Sequence, residues 1–227
     1  MTLNIAHRGA SGHAPENTMV AFEKAIELGC DGIETDVQIS KDGVLVLIHD
    51  ERVDRTTTGT GYVKAHTFEE LDALGVPALE ELLILAKKHG ILLNLELKNT
   101  IVQYPLLEEK VIHMIMDYGM EKQVILSSFN HYSMVKCKSI QPTIETGLLY
   151  IEPLYEPEKY CLNAGANAIH PDYRTLNKEV VAAAHAKGIK VNPYTINEKA
   201  DIAYMIEIGV DMIISNYPDR VKEQLNK

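Results

Sequence analysis

The sequence predicts an α/β protein, a (β/α)8 barrel with a small insertion after the hairpin that its second strand opens. Three observations carry that prediction. Short apolar runs of β type alternate with helical patterns along the whole chain. The runs are apolar on both faces, as strands in a covered parallel sheet are. Eight of them fit within 227 residues, near the ~250 residues of a closed barrel.

Taken in order, Ile5-Ala6 leads to a helical stretch over 18–28. Before it, Pro15-Glu16-Asn17-Thr18 supplies a turn and an N-cap signal, with Asn17 able both to cap the helix and to face a site. Gly32–Ser40 alternates polar and apolar residues at period two, Lys41-Asp42-Gly43 signals a turn, and Val44–Ile48 is apolar again, which together read as a hairpin. Residues 51–78, including the run from Arg55 to Gly61, show no strand–helix rhythm and read as an insertion of the kind that builds sites on barrels. A helix over 79–88 closes on Lys87-Lys88-His89-Gly90. Then Leu92–Leu97 precedes a helix over 105–118, Val124–Ser128 one over 131–139, and Glu145–Tyr150 one over 157–163. Ala168-Ile169 precedes 177–187, Lys190–Tyr194 precedes 198–208, and Met212–Ser215 precedes 218–225. Asn177 and Asn197 stand where caps belong, before runs that stop at Gly188 and Gly209.

No Pro, Gly or Ser-rich linker divides the chain, so residues 1–227 read as a single domain. With 46% hydrophobic and 24% charged residues, disorder and collagen-like structure are excluded. The formal charge of -10 has the wrong sign for a nucleic-acid partner. Cys30, Cys137 and Cys161 are odd in number and lack C-x-x-C spacing, which predicts reduced packing residues and a cytoplasmic location. The first residues lack the charged and apolar regions of a signal peptide. No stretch approaches the ~18 apolar residues of a membrane span, so no stable membrane insertion is expected.

Chemistry concentrates at the predicted strand ends. Glu34 and Asp36, two apart on a strand, point to one face. Two inward carboxylates repel and lose hydration unless a cation lies between them; on an exposed hairpin they would simply be solvated. Folding the hairpin about its turn brings residue 49 or 50 opposite Glu34, which returns His49-Asp50 to the same neighbourhood. Asn94, Glu96 and Lys98 alternate along an apolar run. Glu96 can complete a three-carboxylate oxygen site for Mg2+ or Ca2+ and Lys98 can meet an anion, unless the two form only a structural pair. His7-Arg8-Gly9 ends the first strand, offering a proton carrier and a planar phosphate ligand. His13 is a lesser candidate, and the other six histidines read mostly as surface residues.

Set in order, His7-Arg8-Gly9, Pro15 to Thr18, Gly32 to Val37, Lys41 to Gly43, His49-Asp50, Arg55 to Thr57, Asn94 to Lys98, Ser128-Phe129 and Tyr194 to Asn197 resemble the motifs of the glycerophosphodiester phosphodiesterase family. The likeness runs from residue 7 to the Asn216-Tyr217-Pro218-Asp219 stretch. It implies a TIM barrel whose Glu34, Asp36 and Glu96 hold one divalent cation, Mg2+ or Ca2+. It also implies His7 and His49 as the acid–base pair, Arg8 and Lys98 on the phosphate, and Phe129 and Tyr194 toward the substrate. The implied substrate is a small glycerophosphodiester such as glycerophosphocholine or glycerophosphoethanolamine, cut to glycerol 3-phosphate and an alcohol. Two departures stand out: Tyr194 where the family often has Trp, and Ser215-Asn216 where it commonly has Thr-Asp. Both bear on specificity. A phospholipase-type barrel acting on lipid and a barrel that binds phosphodiesters without cutting them are the competing readings. The nucleophile, the division of roles between the histidines, the headgroup, the metal and the oligomeric state stay open at this level.

Overall fold

The computed structural model describes residues 2–227, and its strands and helices alternate as the sequence predicts. The order is β1 (Leu3–His7), α1 (Met19–Leu28), β2 (Gly32–Ile39), β3 (Leu45–Leu47), α2 (Phe68–Ala73), α3 (Leu79–His89), β4 (Leu92–Leu97) and α4 (Leu107–Asp117). It continues with β5 (Val124–Ser128), α5 (His131–Ile140), β6 (Glu145–Tyr150), α6 (Pro157–Asn163), β7 (Ala168–Pro171), α7 (Lys178–His185), β8 (Lys190–Val191), α8 (Lys199–Ile208), β9 (Met212–Ser215) and α9 (Pro218–Leu225). All strands but β3 are parallel, in the order β8-β7-β6-β5-β4-β2-β1-β9. The ring is completed by backbone bonds from Asp211 N to Val191 O (2.9 Å), Ile214 N to Pro193 O (3.2 Å) and Ile196 N to Ile214 O (2.9 Å).

Packing follows from residue spacing. Along α3, Leu79, Leu82, Leu83 and Ala86 fall on one stripe at helical intervals and are wholly buried. Each leucine contributes roughly 1.5–3 kcal/mol by leaving water. Such stripes pack on the outward strand residues, including Ile33, Leu93, Leu95 and Leu126. Inward-facing Ile5, Ile125, Met212 and Ile214 fill the barrel. A separate small core of Val46, Ile48, Val53, Val63, Leu71 and Val76 seats the 51–78 segment against the hairpin.

Four expectations need correction. The strand expected over 190–194 is regular only at Lys190–Val191: Asn192 N and Tyr194 N still donate to Ile169 O and Pro171 O of β7, but Pro193 has no N–H to donate and the ladder is interrupted there. The 51–78 segment is not devoid of helix, because Thr67 and Glu70 form a capping box that starts α2, with Thr67 N donating to Glu70 Oε2 at 2.8 Å. Asn17 does not cap α1. Thr18 accepts from Ala21 N, while Asn17 takes a left-handed φ of 55° and turns its amide into the barrel mouth. Asn197 does not cap α8 either; its Oδ1 accepts from Asn216 N at 3.0 Å. Asn177 does cap α7, accepting from Val180 N at 2.9 Å. All three cysteines are free and buried, and among the described residues no helix is long and apolar enough to cross a membrane.

Candidate active site

Parallel pairing of β2 with β4 sets Glu34 beside Asn94 and Asp36 beside Glu96, so three carboxylates converge inside the barrel mouth. One oxygen from each of Glu34, Asp36 and Glu96 lies within 4.8 Å of the others, and all three residues are buried. Burial and then the charges of Asp36 and Glu96 push the Glu34 carboxyl well above its ordinary range. Burial and Asp36 likewise raise Glu96 to about 7. Asp36 is held low: burial opposes its charge, but Lys98 and Arg8 outweigh burial. Asp36 Oδ1 accepts no hydrogen bond, and Lys98 Nζ stands 3.7 Å from it. A buried all-oxygen cluster with an unspent lone pair fits a hard divalent cation.

The two candidate histidines are anchored alike and flanked differently. His7 Nδ1 lies 2.6 Å from Asn216 Oδ1, an acceptor only, so the proton sits on Nδ1 and Nε2 faces Glu34 Oε2 at 3.9 Å. Burial and the neighbouring Arg8 charge lower its pKa to about 4, keeping the ring neutral. His49 donates from Nδ1 to Asp50 Oδ1 at 2.7 Å, again leaving Nε2 free. The β2–β3 register, Val37 with Leu47 and Ile39 with Leu45, extrapolates to residue 50 opposite Glu34, as the turn at 41–43 predicts.

Both cations turn toward the carboxylates. Arg8 NH1 donates to Glu16 Oε1 at 2.9 Å and its Nε lies 3.3 Å from Asp36 Oδ2; Lys98 Nζ donates to Glu96 Oε1 at 2.9 Å. Phe129 and Tyr194 meet edge to face, centroids 6.1 Å apart, and form one wall. Together His7, Arg8, Glu34, His49, Glu96, Phe129 and Tyr194 line a cavity of about 150 Å³ with Asn94 and Ile214.

Other residues take places at the site that the sequence did not assign to them. Asn216, expected with Ser215 to bear on specificity, instead anchors His7; it follows β9 just as His7 ends β1, so its strand-end position was the available signal. Glu16 and Arg55 join an ion-pair chain that links Arg8 to Asp50, described below. Asn17, which the sequence allowed to face a site, donates to Asp36 Oδ2 at 2.9 Å and accepts from Thr35 Oγ1 at 2.7 Å, which steadies that carboxylate. His13 pairs with Asp219 at 2.8 Å and does not line the cavity. Of the six histidines expected mostly on the surface, His170 is the exception: it is fully buried in β7, and Asn192 Nδ2 donates to its Nε2 at 2.9 Å.

Comparison with known proteins agrees with this geometry. Residues 7–220 match the family described as glycerophosphoryl diester phosphodiesterase. The chain is 44% identical to a glycerophosphodiester phosphodiesterase of Caldanaerobacter subterraneus subsp. tengcongensis, covering 100% of this chain and 98% of that one. It is 41% identical to one of Bacillus altitudinis, covering 97% and 96%. A phosphodiesterase of Oleispira antarctica, solved with the product sn-glycerol-3-phosphate, superposes with a TM-score of 0.86 at 28% identity, covering 98% of this chain and 96% of that one.

Proposed function

The chain belongs to the glycerophosphoryl diester phosphodiesterase family, and from that membership we propose that it hydrolyses glycerophosphodiesters to sn-glycerol 3-phosphate and an alcohol. In this reading residues 1–227 act as one cytoplasmic domain with a small insertion at 51–78, on a small-molecule substrate rather than on nucleic acid or membrane. The observation that carries it is the convergence of three buried carboxylates and two Nδ1-anchored imidazoles around one small cavity.

Glu34, Asp36 and Glu96 would hold one divalent cation, Mg2+ or Ca2+. When bound, it would neutralise phosphoryl charge and acidify a nearby hydroxyl. His7, neutral and with Nε2 bare, accepts the proton of the attacking oxygen. His49 has a carboxylate partner able to stabilise a positive ring, so it donates from Nε2 to the departing alkoxide. Arg8 and Lys98, which face the carboxylates, turn part of their charge to the phosphate oxygens. Phe129 and Tyr194 close the wall against which the glycerol lies.

The test is a coupled assay for glycerol 3-phosphate release from glycerophosphocholine and glycerophosphoethanolamine with Mg2+, Ca2+ or EDTA. Release should require the cation. Glu34→Gln and Glu96→Gln should each lower kcat by about a thousandfold or more while circular dichroism stays that of the wild type. Full turnover in EDTA, or in either variant, would refute the assignment.

A further inference from the structure

The reaction cavity, about 150 Å³, is not closed: Phe129 and Leu149 also line a larger pocket of about 490 Å³ on the mouth side. That pocket is built by the segments following β5 and β6, and its walls include Tyr155, Tyr160 and Leu154. Tyr155 is 90% exposed and Ile151 55% exposed, so aromatic and aliphatic surface is held open to water beside the site. Such surface at a pocket rim marks a place where a ligand completes the wall.

The charge of this pocket is one-sided. No lysine or arginine lines it. Its histidine, His131, has both ring nitrogens engaged: Nε2 lies 2.8 Å from Leu149 O, an acceptor only, so Nε2 carries the proton. Nδ1 lies 3.0 Å from Tyr160 Oη, so neither ring nitrogen is free to meet a ligand. The one charged side chain in the wall is Glu152, and among the described residues it has no cationic or hydrogen-bonding partner. Burial first, and then the carboxylates of Asp172, Glu96 and Glu152, hold the Tyr194 phenol above its ordinary range, which sets Glu152 and Glu96 within electrostatic reach of one ring.

A second opening lies beside His49 and is lined by Glu16, Thr57 and Leu74. Its carboxylate is already neutralised, since Glu16 is paired with both Arg8 and Arg55. Of these two openings, the aromatic pocket is the one that offers an unspent negative charge together with ring faces. That combination selects an ammonium group, attracted to ring faces and to a carboxylate but poorly matched to a neutral polyol pocket.

We propose that the pocket bounded by Phe129, Leu149, Glu152, Tyr155 and Tyr160 is the subsite for the leaving alcohol and selects alcohols carrying a positively charged ammonium, primary or quaternary, over neutral ones. The inference rests on the phosphodiesterase reading above. It adds that the phosphodiester crosses the Phe129–Leu149 threshold, glycerol on the carboxylate side and ammonium among the tyrosines.

The experiment compares kcat/KM on glycerophosphocholine with that on glycerophosphoglycerol, the same diester with a neutral alcohol, for the full chain and for Glu152→Gln and Tyr155→Leu. The wild type should favour the choline substrate by about tenfold, and each variant should bring the ratio several-fold closer to one. Equal efficiencies in the wild type, or variants that slow both substrates equally, would overturn the subsite; so would a variant of Thr57 that alone shifted the ratio. A second arm needs no turnover: NMR saturation transfer from the protein to choline methyl groups in EDTA, expected in the wild type and lost in Tyr155→Leu. Failure of both substrates to turn over would count against the phosphodiesterase reading, while absence of transfer to choline would count against the subsite alone.

Discussion

Arg55 extends from the 51–78 segment and spends its guanidinium on two carboxylates: Nε and NH2 donate to Asp50 at 2.6 and 3.0 Å, while NH1 and NH2 donate to Glu16 at 3.0 and 2.6 Å. Glu16 also takes Arg8, and Asp50 also takes His49, so one chain of contacts runs from Arg8 to an imidazole. The hydrogen bond from Arg55, with His49 adding to it, brings the Asp50 carboxyl down to about 2 although partial burial opposes this. Asp50 therefore stays an acceptor at any working pH and fixes the His49 tautomer. Exposed ion pairs add only about 0–1 kcal/mol to stability, and Arg55 is 49% exposed, so its value lies in orientation. Arg55→Met and Asp50→Asn should lower kcat by about ten- to a hundredfold, leave KM within about twofold, and barely move the melting temperature. Arg55→Lys should restore part of the loss. An unchanged kcat in Arg55→Met would show that His49 needs no such support.

At the level of strands and helices, β6 and β7 show a dependence between residues far apart in sequence. The imidazole of His170 occupies the space left by the missing side chain of Gly147: a Cβ there would fall far inside van der Waals contact with His170 Nε2. Gly147→Ala should destabilise the fold by about 1–3 kcal/mol, measured by urea unfolding, and His170→Asn in the same chain should recover much of it. A neutral Gly147→Ala would mean the strands shift freely. The same pair shows where reading a sequence succeeds and fails. Each strand from β4 to β6 and β9 could be bounded from its own apolar run, and the β2–β3 register followed from the turn at Lys41-Asp42-Gly43, which brought His49 to Glu34 and Asp36. The carboxylate trio was legible because alternation along a strand fixes the face of each side chain, and the histidines because they stand where strands end. The burial of His170, the Asn216 contact to His7 and the Arg55 clamp were not, since each depends on a partner on a different element whose packing no local pattern encodes. The capping box at Thr67 was readable, but the irregular residues around it masked so short a helix.

For the molecule as a whole, the carboxylate cluster sets cost against function. Glu34 and Glu96 have folded-state pKa values raised by burial and by neighbouring carboxylates, Glu96 to about 7, against 4.5 when unfolded. Across that interval the folded chain binds more protons than the unfolded one, so its stability falls as pH rises. Two buried histidines act in the opposite sense. Burial, and for His7 also Arg8, lowers His7 to about 4 and His170 to about 3 from 6.5, so each withdraws stability as pH falls below 6.5. As pH rises past 7 the imidazoles become mostly neutral in both states and the carboxylates dominate the slope. Thermal melts in EDTA should therefore decline between pH 7 and 8. Millimolar Mg2+ or Ca2+ should raise the melting temperature and flatten or reverse that decline, because binding to the folded state alone stabilises it and favours the ionised carboxylates. Glu34→Gln should melt higher than the wild type in EDTA at pH 8, gain little from the cation, and have lost its activity. A decline of equal slope with and without cation, or a Glu34→Gln protein less stable than the wild type in EDTA, would show that repulsion among these three side chains is not what the cation relieves.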